Sequence, residues 1–184
     1  MTHTLPSFYS GARYDSGMDD KDIAISKVQE CLRLAEPIYA SHNYLKHALQ
    51  SIEADLFGAA IIYFGIALEA ELCEMLKKGI EDKRTEDLLK EAVDNGLITS
   101  DTRDEINGIM WLRDAHAHPQ GTLNKRTWRR LRTIANEYGI PTVLLSPYPN
   151  RIGYIIDFNS ASLARKIAEK MWGLLEQMIS KQGA

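Results

Sequence analysis

Cysteine is scarce in this chain, no apolar run is long, and neither sign of charge dominates. Cys31 and Cys73, the only two cysteines, are too few for a disulfide framework. They also lack a CxxC or Cys/His metal spacing, which points to a reducing compartment. The formal charge of -3 excludes a protein that coats nucleic acid by bulk charge, so any contact with nucleic acid has to be local. The longest uncharged run, Leu56 to Leu68, is 13 residues, short of the roughly 18 that a bilayer span needs. The N-terminal stretch MTHTLPSFYSGARYDSGMDD has no basic segment followed by an apolar one, so no signal peptide is read and a cytoplasmic protein is expected. Residues 1–18 read as a flexible tail and 19–184 as one helical domain, a size able to bury a sizeable core.

What is present is helical periodicity. Apolar residues recur at three- and four-residue spacing, while glycine and proline punctuate rather than pervade. The pattern predicts an all-α bundle of about five to six helices. The first starts near Asp20 and continues toward Leu49, ended or kinked at Pro37. The second, from about Ser51 to Lys78, is the core helix, with Ile61, Phe64, Leu68, Leu72 and Met75 on one stripe and Gly79 as C-cap. A short helix over Thr85 to Asp94 is closed by Asn95-Gly96. Thr102 to Glu105 reads as a capping box for the next helix, which Pro119 ends. A basic helix from about Lys125 to Tyr138 is stopped by Gly139. PTVLLS and RIGYIIDF suggest a short extended hairpin near 141–158, and Ser160 caps a last amphipathic helix.

Chemistry concentrates in MWLRDAHAHP, residues 110–119. At about 100° per residue, Arg113 and His116 lie roughly 60° apart on a helix, whereas Arg113 and His118 lie about 140° apart. Pro119 changes this, because His118, released from the helix, can turn back toward Arg113 or meet the arginine of a second copy across a two-fold axis. These residue types suit metal-independent RNA cleavage. Histidine moves protons near neutrality, and arginine forks onto phosphate oxygens.

At this point the chain resembles the HEPN family, helical domains marked by arginine, four to six residues, then histidine, often with a polar residue after the arginine. Here the match is Arg113, Asp114 and His118. AAIIYFGIALEAELCEMLKKG resembles the family's long helix with its Ala-Leu-Glu element, and NGLITSDTRDEINGIMWLRDAHAHP resembles the segment leading into the motif. The likeness covers about residues 50 to 119, with the closing helix matching more loosely. It implies a homodimer that pairs two Arg/His sets in one cleft and a metal-independent endoribonuclease without cofactor, in a toxin or phage-defence role, with RNA as partner and an antitoxin or regulatory protein as a further one. Two departures stand out. His118-Pro119-Gln120 replaces the His-x-Tyr of the branch paired with a nucleotidyltransferase, and Asp114 stands where asparagine is common.

Plainer readings accompany each residue. Arg113 and His118 also fit a solvated arginine and a histidine favoured by the helix dipole. His116 fits a half-buried packing residue as well as a second proton carrier, and Asp114 either orients a histidine or faces water. A metal cluster of Asp114, His116 and His118 is disfavoured, since residues two apart point to opposite sides of a helix. Glu69 and Glu71 could pair with Arg113 across the bundle, but an ordinary solvent face is favoured. Lys125, Arg126, Arg129, Arg130 and Arg132, with Trp128 among them, form a local basic patch. There Arg126, Arg129 and Arg130 would guide an RNA backbone, against the alternative of a solvated face. The rival function is a non-catalytic HEPN-like module binding a nucleotide, RNA or a protein partner. Access separates the two: open side chains favour the enzyme, and burial in structural contacts favours the module.

Overall fold

The computed structural model describes residues 19–35, 39–78, 84–117, 125–140, 142–148, 151–156, 158 and 160–182. They form seven helices and one antiparallel hairpin, in the order α1 (Asp20–Leu34), α2 (Ala40–Glu53), α3 (Phe57–Met75), α4 (Thr85–Asp94), α5 (Ser100–Ala117), α6 (Lys125–Glu137), β1 (Thr142–Tyr148), β2 (Arg151–Ile156) and α7 (Ala161–Gln182). The expected all-α architecture is present, and among the described residues the hairpin is the one extended feature, with Val143 opposite Ile155 and Leu144 opposite Tyr154. Pro37, the 1–18 tail and the expected Gly79 cap lie outside the described residues.

Seven helices replace the expected five to six because the first expected helix is two, α1 and α2, packed on one another. The next boundary also moves, since α2 runs on to Glu53 and α3 begins only at Phe57. Between them Asp55 takes a left-handed φ of 59°. That conformation lets Leu56 N–H donate to Ser51 O (2.8 Å) and Asp55 N–H to Ile52 O (3.0 Å), a Schellman closure. Aspartate tolerates it through its short polar side chain. Helix α3 closes the same way through Lys77, φ 53°, with Lys78 N–H on Cys73 O and Lys77 N–H on Glu74 O. The core helix therefore stops at Met75 and not at Lys78. The Gly96 and Gly139 stops fall where the sequence places them, both at φ 68°.

Helix α5 also starts earlier than its capping-box reading. Thr99 Oγ1 accepts from Thr102 N–H (3.1 Å), and Thr99 O accepts the first intrahelical bond from Arg103, so Thr99 is the N-cap. Thr102 points inward instead, its hydroxyl donating to Gln177 on α7 (2.9 Å). Ser160 caps α7 through Leu163 N–H (3.4 Å).

One apolar core runs through all seven helices. Helix α3 is its axis, with Ile61, Phe64, Leu68 and Leu72 fully buried, and α2, α4, α5 and α7 pack around it. Among the described residues, no helix is long and apolar enough to cross a membrane.

Candidate functional site

The side of α5 that carries Ile109, Leu112, Arg113 and His116 rests on α3. Gly58 and Gly65 make this possible. They are seven residues apart, so they fall within about 20° of each other on the helix surface, on one stripe. A Cβ at Gly65 would stand 2.6 Å from Arg113 Cδ and 3.1 Å from its Cβ and Cγ. A Cβ at Gly58 would stand 2.6 Å from His116 Cε1 and Nε2. Absence of these two methyl groups lets an arginine stem and an imidazole lie on the backbone of the core helix.

Arg113 is held at its charged end by two carboxylates. Nη1 donates to Glu69 Oε2 (2.9 Å) and Nε to Asp114 Oδ1 (2.9 Å). The arginine side chain is 16% exposed and Glu69 19%, against 59% for Asp114, so the cross-helix pair is the screened one and the neighbour pair is open to water. Glu69 Oε1 in turn accepts from Thr85 Oγ1, in the first turn of α4. The chain Thr85, Glu69, Arg113, Asp114 thereby ties α4, α3 and the end of α5 together.

Of the two readings of Asp114, facing water fits its 59% exposure, and it pairs with Arg113 from there; His118, the histidine it could orient, lies outside the described residues. The favoured solvent-face reading of Glu69 and Glu71 is corrected. Glu69 reaches Arg113, and Glu71, two residues on and pointing elsewhere, is 0% exposed, accepting from Ser41 Oγ (2.8 Å) on α2.

His116 packs its ring at 4.9 Å, centroid to centroid, from Phe158. Removal from water holds its pKa below the ordinary histidine value, since a buried imidazolium loses hydration. The ring is therefore neutral near pH 7, a packing residue that retains a base's chemistry. His118 and Pro119, the other half of the motif, lie outside the described residues. Among the described residues no group of three His, Cys, Asp or Glu could hold a metal ion.

On the adjoining side of α5, Arg130 of α6 stacks on Trp111, its Cζ 5.2 Å from the ring centroid, an attraction between cation and ring face. Arg130 also lines an open groove with Glu86, Leu89 and Lys90 of α4 and Arg103, Asp104 and Asn107 of α5. Arg129 and Arg132 are exposed, and the side chain of Arg126 lies outside the described residues. The groove thus mixes three cations with two carboxylates, and Arg103 is already engaged by Asp104 (2.9 Å).

Gly58, Gly65, Thr85 and Phe158 belong to the site without standing out in the motif. Two isolated glycines in phase inside an apolar helix are a usable sign of close backbone approach. Thr85 and Phe158 sit far from the motif in sequence and had no such sign. No known protein family, no characterised protein and no solved structure matches the chain.

Proposed function

We propose that the chain is a HEPN-like, metal-independent endoribonuclease, a cytoplasmic homodimer acting on RNA in a defence or toxin-like role under the control of an antitoxin or regulatory partner. One observation carries the reading. The Ala-Leu-Glu element on α3 and the arginine of the Arg-x4-His motif, 44 residues apart in sequence, meet in a direct ion pair, Glu69 to Arg113 at 2.9 Å. Two separate parts of the resemblance are thus one piece of structure. In this reading Arg113 neutralises the scissile phosphate and His118 transfers protons. His116 and Asp114 assist, and Arg126, Arg129 and Arg130 guide the backbone. The 2′-hydroxyl attacks the phosphorus, the 5′-oxygen leaves with a proton, and the products carry a cyclic phosphate and a 5′-hydroxyl.

A specific observation favours a second reading, the non-catalytic module. Arg113 is mostly buried and already bound to two carboxylates, which is what a structural cross-brace looks like. Incubation of the purified chain with RNA in a chelator separates the two. The enzyme reading expects cleavage by the parent and a loss of about 10² to 10³ in rate for Arg113→Ala or His118→Ala. Salt-dependent RNA binding without cleavage supports the module. Equal cleavage by parent and variants removes the assigned site.

A further inference from the structure

We infer that Glu69, braced by Thr85, is the positioning residue that sets the orientation of the Arg113 guanidinium; as a catalytic matter this rests on the ribonuclease reading above. A guanidinium on a flexible stem rotates about several bonds, and its worth to a phosphate depends on which edge it presents. Three features of α3 and α4 remove that freedom. Gly65 gives the stem a flat rest, and Glu69, one turn further along the same side of α3, supplies a stop for Nη1. Thr85 from α4 fixes the other oxygen of that stop.

Asp114 cannot do the same work. It is the next residue on the same helix and mostly exposed, so it moves with Arg113 and offers no external reference. Glu69 comes from a different helix and is largely shielded. Of the five N–H donors a guanidinium carries, Glu69 and Asp114 take one each, on Nη1 and Nε. Among the described residues, both N–H groups of Nη2 and one of Nη1 keep no partner, and donors of this kind can fork onto two phosphate oxygens. Glu69 fixes Nη1 in this arrangement, which leaves Nη2 as the end of the guanidinium clear of both carboxylates.

The test uses nitrogen-15 NMR of arginine side chains on the full chain, with the Arg113 signals identified by their loss in Arg113→Lys. The parent should show two separate Nη signals for Arg113, because rotation about the Cζ–Nε bond is held, while exposed Arg129 shows one averaged signal. Glu69→Ala should collapse the Arg113 pair to one signal. Glu69→Gln, which keeps the shape and an acceptor oxygen, should retain two signals that exchange faster, and Thr85→Val should fall between them. In RNA cleavage, Glu69→Ala should lower kcat about ten- to a hundredfold with KM within about twofold, and Glu69→Gln should recover most of the loss. An averaged Arg113 signal in the parent, an unchanged pair in Glu69→Ala, or an effect on KM alone overturns the assignment. If the parent cuts no RNA, the ribonuclease reading fails, and the guanidinium signals still decide whether Glu69 positions Arg113. Should Glu69→Ala not fold, the isosteric Gln variant and Thr85→Val carry the same comparison.

Discussion

Helix α7 closes on α1, and the two helices bury Ala164, Ile167, Ala168 and Met171 on one and Ala24, Val28 and Cys31 on the other, all 0% exposed. Charge stays at the margin of that seam, where Arg165 reaches Asp20 and Glu169 and Lys27 lies over the Trp172 ring at 5.2 Å. Helix α5 closes on α3 with the opposite chemistry. Leu112 and Ile109 are buried there too, but the contact is finished by two glycines, an arginine, a histidine and a half-buried carboxylate. In the first seam affinity comes from area removed from water, which is indifferent to sub-ångström detail. In the second it comes from a placed ion pair, where one misplaced group leaves an unpaired charge. The polar seam is the one that a stability argument alone would not have built, and it holds the candidate site.

The largest effect should be seen in the apolar seam. Ile167→Ala removes a fully buried side chain and should cost about 2–5 kcal/mol in urea unfolding, by lost transfer energy plus cavity, with the Arg113 side-chain signals unmoved. A shift of those signals would mean that the two seams are coupled and the contrast is false.

A smaller effect of two signs should follow in the polar seam. Gly65→Ala drives a methyl into the Arg113 stem and should destabilise by about 1–3 kcal/mol while disturbing the Glu69 pair. Gly108 lies in α5, where an added Cβ would meet nothing within 4 Å, so Gly108→Ala should stabilise by about 0.5–1 kcal/mol through helix propensity alone. Equal responses at both positions would show that close approach at Gly65 is not what its glycine serves.

The smallest effect concerns pH. Burial lowers the His116 pKa in the folded chain below its ordinary value of 6.5, so the unfolded chain binds the proton more readily. Stability contributed by neutral His116 is fully present above about pH 6.5 and is lost as pH falls through the folded pKa. Urea midpoints should therefore drop more between neutral and mildly acid buffer for the parent than for His116→Gln. An equal drop would place the acid sensitivity elsewhere.

Reading by periodicity located most of this architecture. Helix α4 runs over the stretch expected, α7 starts after its Ser160 cap, and Gly96 and Gly139 end their helices, because each signal acts within one or two turns. The errors were also local in kind. A turn at Ala54-Asp55-Leu56 and a stop at Lys77 use left-handed residues other than glycine, for which the sequence carries no strong mark. At the site, helical spacing puts Arg113 and His116 on one face, as in the structure, but says nothing of the groups that face them. From the sequence Glu69 reads as solvent-facing, because two glutamates two residues apart on an apolar helix look alike until something is packed against each.

The order of amphipathic stripes, caps and breakers along the chain was enough to determine a helical bundle with α3 at its centre, since burial of apolar stripes and closure of helix ends depend on spacing within a few residues. Which carboxylate meets Arg113, which side of its guanidinium stays open, and whether His116 is hydrated or packed on Phe158 were decided only by the tertiary structure. Those outcomes depend on distances of a few ångströms between residues up to 44 positions apart. Electrostatic pairing and desolvation act over that range in space, and no periodicity in the chain encodes it.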